Sequence, residues 1–430
     1  MTYFSRIADI ELQRRLSSMG AVLIKGPKWC GKTTTAEQQS KSVLRLQDPD
    51  RREDNLATAN ITPSILLRGA TPRLIDEWQD APLLWDAVRM EVDRRGEPGQ
   101  FILTGSNAVE QSKIMHSGTG RISHLKMLPM SLWESKESNG SISLRYLFDN
   151  PDTDIESVSD MEIRDIVFAA CRGGWPATVK NLSRNSKLLI ARDYVESICS
   201  IDMSRLDNKK TNPKLTRAIL QTYSRNISTL AKTSSLLADI TASENIDCSR
   251  PTLDDYISSL ERLFVIMNLN SWNPAIRSKT AMRSSPKRCF CDPSIVAASL
   301  GLTPEILEVQ LNTFGFIFEQ LCIRDLRAYT QNLYFSDLSY YHDRTGLEAD
   351  VVLHLGDGRY ALIECKLGSR DIDDGARHLL EMKRLIDEHD KNTPQQPITP
   401  PTLLVVLTGG QYAYRRKDGV YVVPVACLKD

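Results

Sequence analysis

Apolar positions change their spacing several times along the chain, and each change marks an element. Ile7, Ile10, Leu12 and Leu16 recur at helical intervals and predict a lead-in helix within residues 3 to 19. Ala21-Val22-Leu23-Ile24, Val43-Leu44-Arg45-Leu46, Leu74-Ile75 and Phe101-Ile102-Leu103-Thr104 are short apolar runs, as expected of strands covered on both faces. Between them, Thr34 to Ser40 reads as the start of a helix and Asp48 to Gly69 as a turn and helix. Strand and helix alternating in this way predict a parallel sheet with helices on both faces. The polar segment Ser135 to Ser159, rich in Ser, Asn and Asp, then reads as an exposed connector.

Helical spacing resumes from Met161, is broken by Gly173-Gly174-Trp175-Pro176 and continues to about Leu237, which predicts a helical lid. From Ser234 to Cys291 a helix, a break at Ser249-Arg250-Pro251, a second helix from about Thr252 to Phe264 and short strands near Val265 and Phe290 outline a winged helix-turn-helix. An amphipathic helix from Phe314 to Tyr329 opens the last stretch. Pro394 to Pro401 is a proline-rich loop, and Leu403 to Leu407 and Val420 to Val425 are two closing strands.

The first apolar run leads into Gly26-Pro27-Lys28-Trp29-Cys30-Gly31-Lys32-Thr33, which meets the phosphate-loop pattern G-x-x-x-x-G-K-[ST] in full between a strand and a helix. Gly26 and Gly31 let the backbone curl so that its N–H groups face phosphate oxygens, and the helix beginning near Thr34 adds its positive end. Lys32 is the residue to reach the β- and γ-phosphates of ATP, and the Thr33 hydroxyl the one to hold Mg2+. Leu74-Ile75 ends in Asp76-Glu77, which supplies one carboxylate for the metal and one to polarise water. Past the run ending at Thr104, Asn107, with Ser106 second, is placed to orient that water. Arg121 is a candidate arginine finger, in its own or a neighbouring subunit, and equally a surface ion-pair residue.

Glu364 and Lys366 stand two apart in a strand and so share one face. If Gly356-Asp357-Gly358 forms a three-residue hairpin loop, as the glycine at 358 favours, Asp350 falls opposite Glu364. A two-residue loop would put Val351 there instead. Two acids and a lysine on one sheet face suit metal-dependent phosphodiester cleavage, with Glu319 as a further ligand from the packed helix. A solvated ion pair on an exposed strand is the plainer alternative.

Between Leu263 and Cys291 there are five basic residues, Arg277, Lys279, Arg283, Lys287 and Arg288, and no acid, which suits a wing that contacts DNA phosphates. Asp254 and Asp255 in the first turn of the would-be recognition helix oppose that reading. The whole chain, 430 residues with 54 basic and 54 acidic side chains, names no partner by global charge. Nine cysteines without a C-x-x-C spacing, no signal segment and no apolar run near the ~20 residues that span a bilayer point to a reducing, cytoplasmic setting without a membrane. DNA and a protein partner are both candidates, and an oligomer is required if Arg121 works across an interface.

The order of phosphate loop, Ile75-Asp76-Glu77 with Gln79, Leu103-Thr104-Gly105-Ser106, Gly120-Arg121, Gly173-Gly174-Trp175-Pro176, Glu319 and Glu364-Cys365-Lys366 resembles the prokaryotic AAA-type ATPases with a DUF4143 C-terminal region. That resemblance implies an α/β fold with an AAA+-like P-loop core at 1–155, a helical lid at 156–232, a winged helix at 233–304 and a restriction-endonuclease-like domain of the PD-(D/E)xK type at 305–430. It implies the nucleotide roles above for Lys32, Thr33, Asp76 and Glu77, and nuclease roles for Asp350, Glu364 and Lys366 with Glu319. Glu348-Ala349 precedes Asp350 where the motif has a proline. The expected function is an ATPase acting on DNA, its nucleotide state controlling the C-terminal centre. The competing expectation is a nucleotide-operated switch that docks a protein partner, with the nuclease-like fold as a silent scaffold.

Overall fold

The computed structural model describes residues 3–105, 117–180, 182–206, 211–244, 246–272, 285–333, 336–343, 346–392, 395 and 398–430. Ser106, Asn107, Arg277, Lys279 and Arg283 lie outside the described residues. The chain divides into two compact units, Met1–Pro129 with Arg262–Phe264, and Met130–Glu261 with Val265–Asp430.

In the first unit the elements run α1 (Ile7–Leu16), β1 (Ala21–Lys25), α2 (Lys32–Gln39), β2 (Ser42–Arg45), α3 (Arg52–Ile61), β3 (Arg73–Asp76), α4 (Leu83–Arg95), β4 (Phe101–Gly105) and β5 (Ile122–Lys126). All five strands pair in parallel in the order β2-β3-β4-β1-β5. Successive side chains of a strand point to opposite faces, so each apolar run feeds two cores. Ala21 and Leu23 pack with Trp85, Val88 and Val92 of α4. Val22 and Ile24 pack with Ala8 and Leu12 of α1 and Ala36 of α2. Burying each such Leu, Ile or Val contributes roughly 1.5–3 kcal/mol, which is why the sheet needs helices on both sides. Helix α2 begins at Lys32 rather than Thr34, because Thr35 N–H already bonds to the Gly31 carbonyl at 2.9 Å. β5 is an edge strand on which Ile122 and Leu125 are buried while His124 and Lys126 are exposed.

The second unit holds an eight-stranded sheet in the order Glu156–Val158, Tyr412–Arg415, Tyr421–Pro424, Leu403–Thr408, Tyr360–Lys366, Glu348–His354, Asp337–His342, Asn270–Ser271. Its outermost strands therefore come from outside 305–430. The polar stretch 135–159 is a packed segment rather than an exposed connector: Leu144, Leu147 and Phe148 are buried and Glu156–Val158 pairs with Tyr412–Arg415. Ile266 bridges Phe290 and Leu269 bridges Lys287 in antiparallel fashion, which sets the register of the two arms around residues 273–284. Val352, Leu362 and Val406 of the sheet pack against Ala376, Leu379 and Met382 of the helix Ile372–Asn392. The helix Leu311–Thr330 is buried on nearly every side from Ile317 to Tyr329.

Gly173-Gly174-Trp175-Pro176 is a pinned turn. The Gly174 N–H donates to Asp292 Oδ2 at 2.8 Å, its carbonyl accepts from Met130 N–H at 2.6 Å, and Trp175 Nε1 donates to Ser294 Oγ at 3.1 Å. A Cβ on Gly174 would stand 2.2 Å from the Met130 carbonyl oxygen, so no larger residue fits without moving backbone.

Candidate functional site

The phosphate loop joins β1 to α2 through three residues at positive φ, Gly26 at 157°, Trp29 at 63° and Gly31 at 100°. A Cβ on Gly26 would come within 2.0 Å of the Met127 carbonyl oxygen, so close approach as well as dihedral angle demands glycine there. Along the loop Pro27 is buried, Lys28 half-buried and Trp29 exposed. Cys30 is fully buried beneath it. Lys32 folds back over the loop, its ammonium donating to the carbonyls of Gly26 at 3.0 Å and Pro27 at 2.9 Å.

Thr33, in the first turn of α2, donates its hydroxyl to Asp76 Oδ1 at 2.8 Å. The same oxygen accepts from the Thr104 hydroxyl at 2.6 Å. This follows from strand order: β4 lies between β1 and β3, and Asp76 is in register with Thr104. A hydroxyl and a carboxylate converging at the end of a helix and a strand are hard oxygen donors of the kind Mg2+ takes. Thr34 follows on the same turn and is exposed.

Glu77 takes the left-handed conformation, φ 56°, at the strand end, where a residue with a Cβ is strained. Gln79 donates to its carboxylate. Burial pushes the Glu77 pKa up, against the pull of Gln79 and Lys32, with Asp76 and Asp80 adding to the rise. Gly105 leaves room for this arrangement, since a Cβ there would lie 2.6 Å from Gln79 Oε1.

One contributor carries no motif. Arg6, buried just before α1, donates to the Cys30 carbonyl at 2.7 Å and to the Leu128 carbonyl at 2.7 Å, bracing the phosphate loop from behind. Its only sequence signal is a basic residue preceding the lead-in helix. Arg121 stands elsewhere: its carbonyl accepts from Ala21 N–H, at the end of β1 remote from Gly26, and its guanidinium pairs with Asp93 at 2.8 Å. It does not reach the phosphate loop of its own chain, which corrects that half of the arginine-finger expectation.

The second constellation lies in the second unit. Val351 opposes Ile363 and His354 opposes Tyr360, a register that places Asp350 opposite Glu364. Leu355 N–H bonds to the Arg359 carbonyl at 2.8 Å, leaving Gly356-Asp357-Gly358 as a three-residue loop with Gly358 at φ 91°. Asp350 Oδ2 accepts from Cys365 N–H at 2.9 Å. Lys366 Nζ lies 2.6 Å from Glu364 Oε2, and His378 Nδ1 of the helix Ile372–Asn392 lies 3.9 Å from it. Gly375 admits Lys366 alongside that helix, as a Cβ would stand 3.2 Å from Lys366 Cγ. Lys366 thus serves Oε2, while among the described residues no hydrogen-bond partner meets the buried Glu364 Oε1. Burial, then the nearby Asp350, pushes its pKa up to about 8.

Glu319 does face this cluster, through Lys287. The Lys287 ammonium lies 2.7 Å from Glu319 Oε1 and 3.0 Å from Asp350 Oδ1. Burial pushes Glu319 up to about 8, Asp350 adding to the rise. Lys287 and Arg288, expected on a DNA-contacting wing, are 5% and 4% exposed. Arg288 donates to the Ala231 carbonyl at 2.9 Å and to the hydroxyls of Thr233 at 3.3 Å and Tyr223 at 3.4 Å. Both side chains are spent on internal partners, so the wing expectation is corrected for them. Among the described residues no three His, Cys, Asp or Glu side chains are grouped to hold a metal ion, and no helix is long and apolar enough to cross a membrane.

Residues 18–136 match the family model of an AAA domain, and residues 314–428 that of the domain of unknown function DUF4143. Residues 163–306 match a further domain of unknown function, DUF8612. Uncharacterized proteins of Mycobacterium tuberculosis and Mycobacterium bovis are each 22% identical over 365 residues, spanning 83% of this chain and 72% of theirs. Among solved structures, the chain is similar to a Walker-type ATPase of Pyrococcus abyssi, with 11% identity and a TM-score of 0.39 over 69% of this chain and 96% of that one. It is also similar to a DNA replication initiation factor, with 12% identity and a TM-score of 0.26 over 59% of this chain and 86% of that one. With an AAA domain that includes the phosphate loop and, after it, a DUF4143 region that includes Asp350 and Glu364, the protein is an AAA-type P-loop ATPase with a DUF4143 C-terminal region.

Proposed function

We propose that the chain hydrolyses ATP in a Mg2+-dependent reaction at the Gly26–Thr33 loop and uses the turnover as a switch that alters how residues 130–430 engage a protein partner. The observation that carries the catalytic part is the convergence of Thr33 and Thr104 on one oxygen of Asp76. Lys32 would exchange the Gly26 and Pro27 carbonyls for phosphate oxygens, so the loop relaxes as the nucleotide seats. Thr33 and Asp76 would hold Mg2+, which supplies positive charge against the β- and γ-phosphates. Glu77, kept in place by Gln79 and raised in pKa by burial, would orient the attacking water and take up its proton. Asn107 would help to position that water.

The switch reading is favoured over action on DNA by the burial of Lys287 and Arg288 and by the ammonium that Glu319 and Asp350 share. The reading as a DNA-acting nuclease keeps one observation of its own, the Asp350–Glu364 register with Lys366 beside Glu364. It would use 305–430 as a PD-(D/E)xK-type domain and 233–304, with Arg277, Lys279 and Arg283, as a winged helix on DNA. Phosphate release measured with and without DNA, alongside DNA cleavage in Mg2+ or Mn2+, separates the two. The switch predicts turnover indifferent to DNA, no cleavage, and loss of partner binding in Lys32→Ala. Turnover stimulated several-fold by DNA, with cleavage lost in Asp350→Ala, would replace it with the nuclease reading.

A further inference from the structure

The Lys287 ammonium has three N–H donors and meets three oxygens: Glu319 Oε1 at 2.7 Å, Asp350 Oδ1 at 3.0 Å and the Asp350 carbonyl at 3.2 Å. Two carboxylates and a backbone carbonyl make an all-oxygen cradle of the type that suits a hard divalent cation. Here the chain's own ammonium fills it. Lys287 does not reach the cradle by chance of rotamer. Its main chain exchanges two hydrogen bonds with Leu269, at 2.9 and 3.1 Å, and the Tyr340 hydroxyl holds the Ser285 carbonyl two residues earlier. The side chain is 6% exposed, and those of Glu319 and Asp350 are 11% and 9%. The third acid, Glu364, has a separate cation in Lys366. A metal ion entering between Glu319 and Asp350 would have to expel a buried ammonium and leave it without a counter-charge, an exchange disfavoured by the same desolvation that protects the pair.

We propose that Lys287 is the resident cation of the Glu319–Asp350 pair, standing where a divalent metal would have to bind, so that this centre is a closed ion cluster and not a metal site. The inference deepens the silent-scaffold part of the switch reading. It makes no use of ATP turnover, and so stands or falls apart from the ATPase assignment.

Its test is Mn2+ binding to the full chain without nucleotide, followed by electron paramagnetic resonance or calorimetry, in wild type, Asp350→Asn, Lys287→Met and the double variant. Any ion held near Thr33 and Asp76 is common to all four and cancels in the differences. The expected result is equal Mn2+ stoichiometry in wild type and Asp350→Asn, one additional equivalent in Lys287→Met, and loss of that equivalent in the double variant. Loss of one equivalent on going from wild type to Asp350→Asn would overturn the proposal. So would a folded Lys287→Met that gains nothing. Should Lys287→Met fail to fold, the comparison of wild type with Asp350→Asn still decides.

Discussion

Thr33 and Asp76, on different elements 43 positions apart in the chain, are joined by a 2.8 Å hydrogen bond from hydroxyl to carboxylate, and Thr104 donates to the same oxygen from β4, the strand paired with β3. Two hydroxyls thus fix the position of the Asp76 carboxylate. Replacing Asp76 by Asn keeps the size and removes the charge that would balance Mg2+. Turnover should fall by about 10²-fold or more, since a lost electrostatic contact of this type costs on the order of 2.7–4 kcal/mol in the transition state. Steady-state phosphate release at saturating Mg2+ and ATP, with a melting curve to show that the variant is folded, checks this.

Arg6 braces the phosphate loop through two carbonyls, Cys30 and Leu128. Arg6→Ala leaves both without their donor and removes a buried side chain, so the loop should lose its set shape. The expected outcome is a fall in ATP affinity of about tenfold, with destabilisation of about 1–3 kcal/mol. Fluorescent-nucleotide titration and chemical denaturation measure the two effects separately. Arg6→Lys, which cannot span both carbonyls, should recover only part of the loss.

Gly174 sits where a Cβ would be 2.2 Å from the Met130 carbonyl oxygen. Gly174→Ala should therefore destabilise the second unit by more than about 2 kcal/mol, an effect of overpacking and of hydrogen bonds broken at Asp292 and Met130. Differential scanning calorimetry should show one transition moved down while the melting of the first unit is unchanged.

Glu364 binds its proton more tightly in the folded chain, with burial pushing its pKa up to about 8 from the ordinary carboxylate range near 4.5. Folding therefore takes up protons between about pH 4.5 and 8, and stability falls as pH rises through that window. Glu364→Gln cannot titrate, so its decline should be shallower. The gap in Tm between pH 6 and pH 8.5 should shrink by about 2–4 °C, as expected for a change near 1 kcal/mol. An unchanged gap in thermal melts would show that Glu364 is ionised across the range.

Much of the first unit was legible because its chemistry is local. A full phosphate-loop pattern between an apolar run and a helix needs only neighbours in sequence, and four of the five strands are runs of apolar residues. β5 was missed because it is an edge strand, with only Ile122 and Leu125 buried among polar neighbours. In the second unit the Asp350–Glu364 register followed from one glycine, as Gly358 at positive φ fixes the loop length. The internal roles of Lys287 and Arg6 could not be read in the same way. A basic residue looks the same in sequence whether it faces solvent or is buried against acids or carbonyls far along the chain. Glu156–Val158 and Asn270–Ser271 are too short to show a period, and only the sheet they join makes them strands.

The most direct test of the account is ATP turnover in Glu77→Gln. With the phosphate loop, Thr33 and Asp76 intact, this variant should bind Mg2+-ATP within about threefold of wild type and hydrolyse it at least about 10²-fold more slowly, as expected for loss of a positioned base. Phosphate release at the wild-type rate from a folded, nucleotide-binding Glu77→Gln would contradict the assignment of Glu77. Failure of the wild type itself to bind or hydrolyse ATP would contradict the function proposed for the whole chain.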